Sequence, residues 1–310
     1  MTDSELFLDH RPLLFAIAYR MLGSVSDAED AVQETYLRWH RARGTGDEIR
    51  SPKAWLTTVI SRICLDLLGS ARVERERYIG PWLPEPLAGT SPDIAETAVD
   101  VESISYAFLV LLESLSPKER AVFLLHDVFG YEFTAVGEIV KESDVYCRQL
   151  AKRARSHMAE RRPRFNVDPD HRERLTTRFL RAVADGDTPS LIATLAEDVT
   201  IFSDGGGNVT AARKPVVGRE KVVLFLTHLS RLAPAATRFR LESINGQPGI
   251  VTLIDGAVQS VASFEVSEAG IRTIYVVVNP DKLRGIAARL TGAPPLSRWS
   301  PNATGRERGQ

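Results

Sequence analysis

Between Ser116 and Met158 the apolar positions recur every three or four residues in three successive runs. Ser116-Pro117-Lys118-Glu119 opens the first run as a helix start, with a hydroxyl N-cap, a proline at the first helical position and a glutamate two residues further on. Ala121, Val122, Leu125, Val128 and Phe129 then repeat at helical spacing, and Gly130 ends the run. A second, shorter helix is predicted from about Thr134 to Val140. The polar bend Lys141-Glu142-Ser143 follows, with Ser143 placed to cap a third helix. That succession has the form of a helix-turn-helix. On the third helix Cys147, Leu150, Ala151, Ala154 and Met158 share one side, while Arg148, Gln149, Lys152, Arg153 and Arg155 share the other. Arg and Lys neutralise phosphates, and Arg or Gln near such a helix start can pair with base edges in the major groove. A solvated amphipathic helix would show the same two faces; bend, cap and cationic face together point to DNA.

The N-terminal stretch is also helical in its pattern. From His10 to Leu22 the positions Leu13, Leu14, Ile17, Ala18 and Met21 line one face, and Gly23 closes the run. Ser26-Asp27-Ala28-Glu29 is a second capping box, opening a helix with Ala28, Ala31, Val32, Thr35 and Trp39 inward and Asp27, Asp30, Glu34, Arg38 and Arg41 outward. After the loop Gly44–Pro52, a third helix from Lys53 to about Leu68 is expected to pack with Trp55, Leu56, Val59, Ile60, Ile63 and Leu67, and Arg62 and Asp66 are spaced to pair. The apolar pattern then breaks in a charged run containing Arg72, and prolines at 81, 84 and 86 exclude a helix over Tyr78–Leu87.

From about Asp168 onward the period changes. Helices are predicted over Arg172–Ala184, Pro189–Ala196 and Glu220–Leu232, and strands over Val199–Ser203, Phe239–Ile244, Ile250–Ile254, Ala257–Val266 and Ile271–Val278. Asp255-Gly256 is a type I′ hairpin signal. Alternation along these strands implies an antiparallel sheet with one covered face, so this part is α+β. Pro294–Gln310, rich in Pro, Gly and Arg, reads as a loose tail.

Composition changes this picture little. A formal net charge of −1 excludes a strongly basic nucleic-acid coat, so the basic character is local to the third helix and its continuation to Arg164. The two cysteines, Cys64 and Cys147, fall on apolar helix faces without metal-ligand spacing, which favours buried thiols in a cytoplasmic chain with no metal site. No stretch is long and apolar enough to span a membrane, and the acidic start Met1–Asp9 is unlike a signal peptide.

DAEDAVQETYLRWHRA, then SPKAWLTTVISRICLDLL, then LSPKERAVFLLHDVFGYEFTAVGEIVKES with its basic final helix resembles bacterial sigma factors of the extracytoplasmic-function (ECF) type. The resemblance implies region 2 over residues 1–78, a linker over 79–103 and region 4 over 104–165. It also implies core RNA polymerase (β′ clamp helices and β flap) and promoter DNA as partners. Asp27, Asp30, Gln33, Glu34 and Arg38 would then face polymerase. Arg50, Lys53, Arg62 and Arg72 would contact the −10 element, and Ser143, Asp144, Arg148, Gln149, Lys152, Arg153 and Arg155 the −35 element. Where many members have glycine in the turn, this chain has Lys141 followed by Glu142.

The α+β part, residues 168–290 with a tail over 291–310, resembles the SnoaL-like (NTF2-like) fold, a cone with a pocket at its wide end. Sigma factors carrying such a fused domain form a group matched here by three stretches: Trp82-Leu83-Pro84-Glu85-Pro86, Asp204-Gly205-Gly206-Gly207 and Asn279-Pro280-Asp281-Lys282-Leu283. In that group the extra domain is a built-in regulator. Three glycines leave amides open to approach, and a stiff proline segment with Trp82 as anchor binds with little entropy loss. A plain turn and a plain spacer would fit the residues alone. Two rival readings stand beside this one. The cone could bind or transform a small molecule, with Asp204, Asp255, Asp281 and His228 as the available proton-transfer groups, or the chain could be a two-component-type activator without region 2. The expectation carried forward is a non-enzymatic sigma factor without cofactor, its C-terminal pocket a candidate site for an unknown small ligand.

Overall fold

The computed structural model describes residues 3–44, 49–76, 78–89, 105–161 and 167–291. They form two compact units. The first combines the chain up to Glu76 with residues 105–161, and the second combines residues 78–89 with everything from Val167 onward.

In the first unit α1 (Asp3–Leu22), α2 (Val25–Gly44) and α3 (Pro52–Glu76) pack on one another. α1 starts seven residues earlier than the apolar repeat predicts and carries Pro12 inside it. Tertiary ties explain the extension: the Trp39 indole donates to the Asp3 carbonyl at 3.1 Å, and Arg43 bonds the Asp3 carboxylate at 2.9 Å. The buried stripe of α3 is Leu56, Ile60, Ile63, Cys64 and Leu68, so it turns slightly away from the expected one and leaves Leu67 38% exposed. α3 also runs past the break in the apolar pattern, because Ala71 to Glu76 are mostly good helix formers that need no apolar face to continue a helix already nucleated.

The remaining helices of this unit are α4 (Tyr106–Leu112), α5 (Pro117–Phe123), α6 (Phe133–Val140) and α7 (Asp144–Arg161). The Ser116 box closes as expected: Ser116 Oγ accepts from the Glu119 amide at 3.3 Å, and the Glu119 carboxylate accepts from the Ser116 amide at 3.0 Å. Beyond Phe123 the helix widens into a π-helical turn, Leu124–Val128, and ends at Gly130 with φ +73°. Lys141 sits in the left-handed region at φ 57°, ψ 49°, and the Glu142 amide returns to the Gly137 carbonyl at 3.0 Å. The turn is therefore made with a lysine where a glycine would be unstrained. Gly137 is the residue that must be small, since a Cβ there would stand 2.7 Å from the Glu142 carbonyl oxygen. Regions on either side of the linker pack together within this unit. Thr57 and Tyr131 hydroxyls bond at 2.9 Å, and the buried Arg120 donates to the Met21 carbonyl at 2.7 Å.

The second unit is α8 (Pro169–Asp185), α9 (Thr188–Thr194), β1 (Leu195–Asp204), β2 (Val216–Val217), α10 (Arg219–Leu232), β3 (Thr237–Ile244), β4 (Gln247–Ile254), β5 (Ala257–Ser267), β6 (Gly270–Val277) and α11 (Pro280–Thr291). The six-stranded sheet has the order β2-β1-β6-β5-β4-β3, antiparallel except where β1 pairs parallel with β6. Register shifts at Thr252/Leu253 and Glu265/Val266 bend the ladder. Asp255-Gly256 closes β4–β5 with φ of 50° and 79°, and Asn245-Gly246 closes β3–β4 in the same way with 51° and 73°. Phe179 on α8 meets Phe264 on β5 edge to face at 5.3 Å in a core that Leu191, Ile201, Val222 and Ile274 complete. This is the NTF2-like arrangement. The sequence pattern missed α11, whose start is hidden behind Asn279-Pro280, and the two-residue β2.

Candidate DNA-reading face and linker clamp

α7 presents its cations as its two-faced pattern demands. Cys147, Leu150, Ala151, Ala154 and Met158 are buried, and Arg148, Gln149, Lys152, Arg153 and Arg155 are exposed. Ser143 caps the helix through the Tyr146 amide at 3.3 Å. Two of the cations are positioned by neighbours: Arg148 lies over the Phe133 ring at 5.3 Å and Arg155 bonds Asp127 at 2.8 Å. Asp144 is half-buried at the α6–α7 turn, close to the space a Gly137 Cβ would fill.

On α2, Asp27, Asp30, Gln33 and Arg38 are exposed, Glu34 is half-buried and pairs with Arg38 at 2.8 Å, and the apolar Leu37 stands 40% exposed among them. Arg50 and Lys53 are exposed at the start of α3. Arg62 points elsewhere: its guanidinium bonds the Glu138 and Ile139 carbonyls at 2.8 and 3.3 Å, at the C-terminal end of α6, instead of pairing with Asp66. Helix C-termini carry partial negative charge and unmet carbonyls, which is why a cation settles there. The side chain of Arg72, and Thr45 to Glu48 of the preceding loop, lie outside the described residues.

The three stretches shared with the fused sigma group meet inside the second unit, around one carboxylate. Asp204, at the end of β1, is fully buried. Its Oδ1 accepts from the Tyr78 hydroxyl at 2.5 Å and from the Gly206 amide at 3.1 Å; its Oδ2 accepts from the Leu83 amide at 2.9 Å and from Lys282 Nζ at 2.8 Å. Lys282 also donates to the Leu83 carbonyl and lies 4.0 Å from the Trp82 ring centroid and 5.1 Å from that of Tyr78. Asn279 donates to the Tyr78 hydroxyl at 2.9 Å. Burial first, then the bond to Asp204, pushes the Tyr78 phenol well above its usual range, so it remains a donor. Further along, Leu87 and Asn245 exchange bonds at 3.0 and 2.8 Å, the Gly89 amide reaches the Ser243 carbonyl at 2.6 Å, and Arg289 holds the Ala88 carbonyl at 2.6 Å.

The arrangement differs from the sequence expectation at the glycines and at Trp82. The glycines do not offer amides to the linker. Gly206 bonds within its own loop, Gly205 accepts from Asn208 and Val209, and Gly206 and Gly207 leave room for the side chains of Asn279 and Ile79. Trp82 is only half-buried, and the covered residues are Leu83, Pro84, Glu85 and Pro86. Tyr78, Asn245 and Arg289 also belong to the clamp and carry no sequence signal for it; the Asn245-Gly246 hairpin turn hides the role of Asn245. Asp281 bonds Asn208 at 3.3 Å and pairs with Arg284, and Pro280 opens α11.

Behind the clamp lies a cavity of about 440 Å³, lined chiefly by apolar residues of α8, α10, β3 to β6 and the loop after β1. His228 and Leu232 stand exposed beside it. Among the described residues no group of His, Cys, Asp or Glu is arranged to hold a metal ion, Cys64 and Cys147 are buried free thiols, and no helix is long and apolar enough to cross a membrane.

The family models for sigma-70 region 2 and sigma-70 region 4 match residues 6–73 and 105–158, which places the helical unit in the sigma-70 class of transcription initiation factors. The ECF RNA polymerase sigma factor SigJ of Mycobacterium tuberculosis (strain ATCC 25618 / H37Rv) is 36% identical over 301 residues, covering 93% of this chain and 95% of that protein. The probable ECF sigma factor SigI of M. tuberculosis (strain CDC 1551 / Oshkosh) is 34% identical over 286 residues, covering 91% and 95%. The crystal structure of M. tuberculosis SigJ aligns with a TM-score of 0.74 at 34% identity, covering 92% of this chain and 99% of that one. The chain belongs to the ECF family of RNA polymerase sigma factors, and its function is promoter-directed transcription initiation.

Proposed function

We propose that region 2 docks the outer face of α2 (Asp27, Asp30, Gln33, Glu34 and Arg38) on the β′ clamp helices of core polymerase, that region 4 engages the β flap, and that the C-terminal unit regulates both by holding the linker. Region 2 opens the −10 element with Arg50, Lys53, Arg62 and Arg72, and α7 reads the −35 element. The two elements lie about 25 base pairs apart, roughly 85 Å along B-form DNA at about 3.4 Å per pair. Regions that pack side by side through Thr57–Tyr131 and Arg120–Met21 cannot span that distance, so they must part on the promoter. Arg62 reaches a −10 strand only after leaving the Glu138 and Ile139 carbonyls. Residues 77–104 are the covalent tie between the regions, and whatever fastens part of that tie governs the parting.

The observation that carries the regulatory reading is the Asp204 carboxylate, wholly buried and accepting from Tyr78 and Leu83 of the linker. A double-mutant cycle tests it. In run-off transcription with core polymerase, Tyr78→Phe and Asp204→Asn should each change promoter-specific output severalfold in the same direction, and the double variant should add little to either. Fully additive effects, or unchanged output, would remove the clamp from the regulation.

Catalysis by the cone is the disfavoured alternative. Asp204 is spent in the clamp, Asp255 makes a hairpin turn, Asp281 pairs with Arg284, and among the described residues no carboxylate lines the cavity. Proton transfer there would fall to His228 alone.

A further inference from the structure

The cavity and the linker clamp share a wall in which β1 and α11 each turn neighbouring residues to opposite sides. On β1, Ser203 lines the cavity while Asp204 turns to the linker. On α11, Pro280 and Leu283 line the cavity while Lys282, between them, holds Leu83 and Asp204. The loop from Val209 to Ala212 lines the cavity and also a smaller hollow whose far side is Ile79 and Gly80 of the linker. Nothing that fills the cavity can shift this wall without moving a linker contact, because close-packed interiors transmit displacement.

The lining defines what fits. A volume of about 440 Å³ is within the range of small-molecule sites. Phe179, Phe225, Phe239 and Ile274 supply apolar surface from four elements, and among the described residues no Asp, Glu, Lys or Arg lines the space. Beyond the exposed His228 at its edge, a charged ligand would find no ionisable partner to replace its lost hydration. Ser203, Gln259 and Ser260 provide uncharged hydrogen-bonding groups.

We infer that the cavity binds a neutral, largely apolar small molecule carrying a hydrogen-bonding group, and that its occupancy sets how firmly the Tyr78–Gly89 linker is held. The coupling rests on the linker reading above, but the following experiment reads binding and linker protection directly, without transcription. The full-length protein is titrated with Nile red, a neutral apolar dye, and amide exchange over residues 78–89 is followed by mass spectrometry with and without it. One dye should bind per chain, saturably, and exchange of the Leu83 and Leu87 amides should change at least threefold. Ala262→Phe, which fills the cavity from β5, and Leu229→Trp, which fills it from α10, should each abolish both effects; two sites guard against one variant failing to fold. Absence of saturable binding to the wild-type protein, or binding that survives in both folded variants, overturns the site. Binding that leaves linker exchange unchanged overturns the coupling, and either result leaves the Tyr78–Asp204 cycle to stand or fall separately.

Discussion

On α7 the side chains of Gln149, Lys152 and Arg153 stand in solvent, on a helix whose opposite side is packed by Cys147, Leu150 and Ala154. In the C-terminal unit Asp204 and Lys282 are withdrawn from water, with 0% and 12% of their side chains exposed, and bonded to linker groups on nearly every side. Both are charged sites, and in the function proposed above both serve recognition. They differ in where the cost of the charge is met. A solvated cation keeps its hydration until a phosphate replaces it, so it contributes to binding and almost nothing to folding. A buried carboxylate has already given up its water and depends on each partner it holds. The first kind of site meets a partner that comes and goes, and the second fixes a segment of its own chain.

The largest effect should come from breaking the second kind. Asp204→Ala strands Lys282, the Tyr78 hydroxyl and the Leu83 amide, and removal of one member of a buried pair costs about 3–5 kcal/mol. Urea unfolding of the full chain should show that loss in the transition of the β-rich unit. Adding Lys282→Met to Asp204→Ala should recover part of it, since the orphaned charge is then gone. A loss below about 1 kcal/mol would mean that water reaches the clamp and that it is no different in kind from the surface of α7.

Much of this was legible beforehand, for identifiable reasons. Caps and apolar spacing are local, so the Ser116 box, the Ser143 cap and the two faces of α7 could be read directly. Strand alternation and Asp255-Gly256 likewise revealed most of the sheet. The clamp was readable only as three matched stretches, because its bonds join residues up to 201 positions apart. What each residue does in it escaped, since a tyrosine after a charged run or a lysine after Asn-Pro-Asp carries no local sign of a buried partner. The full length of α3 escaped for a different reason: its continuation past Leu68 carries no apolar period in the sequence to reveal it.

The other side of the comparison predicts a loss of function without loss of fold. Arg148→Ala with Lys152→Ala removes two exposed cations from α7, and each lost bidentate base contact costs about 1–3 kcal/mol of promoter binding. Stability should change by less than about 0.5 kcal/mol per site, as is usual for surface positions. Run-off transcription should be lost while association with core polymerase persists, and loss of a phosphate-contacting Lys152 should also lower the salt dependence of promoter binding. Unchanged promoter use would remove that face from the −35 contact. A comparable loss of stability would mean that the Arg148–Phe133 stacking holds the helix-turn-helix together and that the exposed site is partly structural after all.

The smallest expected effect lies in the turn between α6 and α7, on which the candidate DNA-reading face depends. Lys141 holds φ 57° and ψ 49°, a conformation that costs an ordinary residue about 1–2 kcal/mol and glycine almost nothing. Glycine also loses more freedom on folding, by about 0.5–1 kcal/mol. The difference leaves Lys141→Gly stabilising by about 0.5–1 kcal/mol, or roughly 2–4 °C in the melting of the helical unit. The Lys141 side chain is exposed and outside the candidate base-reading set, so promoter choice should not change. The Glu142 amide bond to Gly137 would be kept, because it depends on the backbone angle and not on the side chain. A destabilised variant would show that the lysine contributes through its charge near the C-terminal end of α6, where a cation is favoured. In that case even the exposed charges of this unit would carry part of the fold, and the contrast with Asp204 would be one of degree.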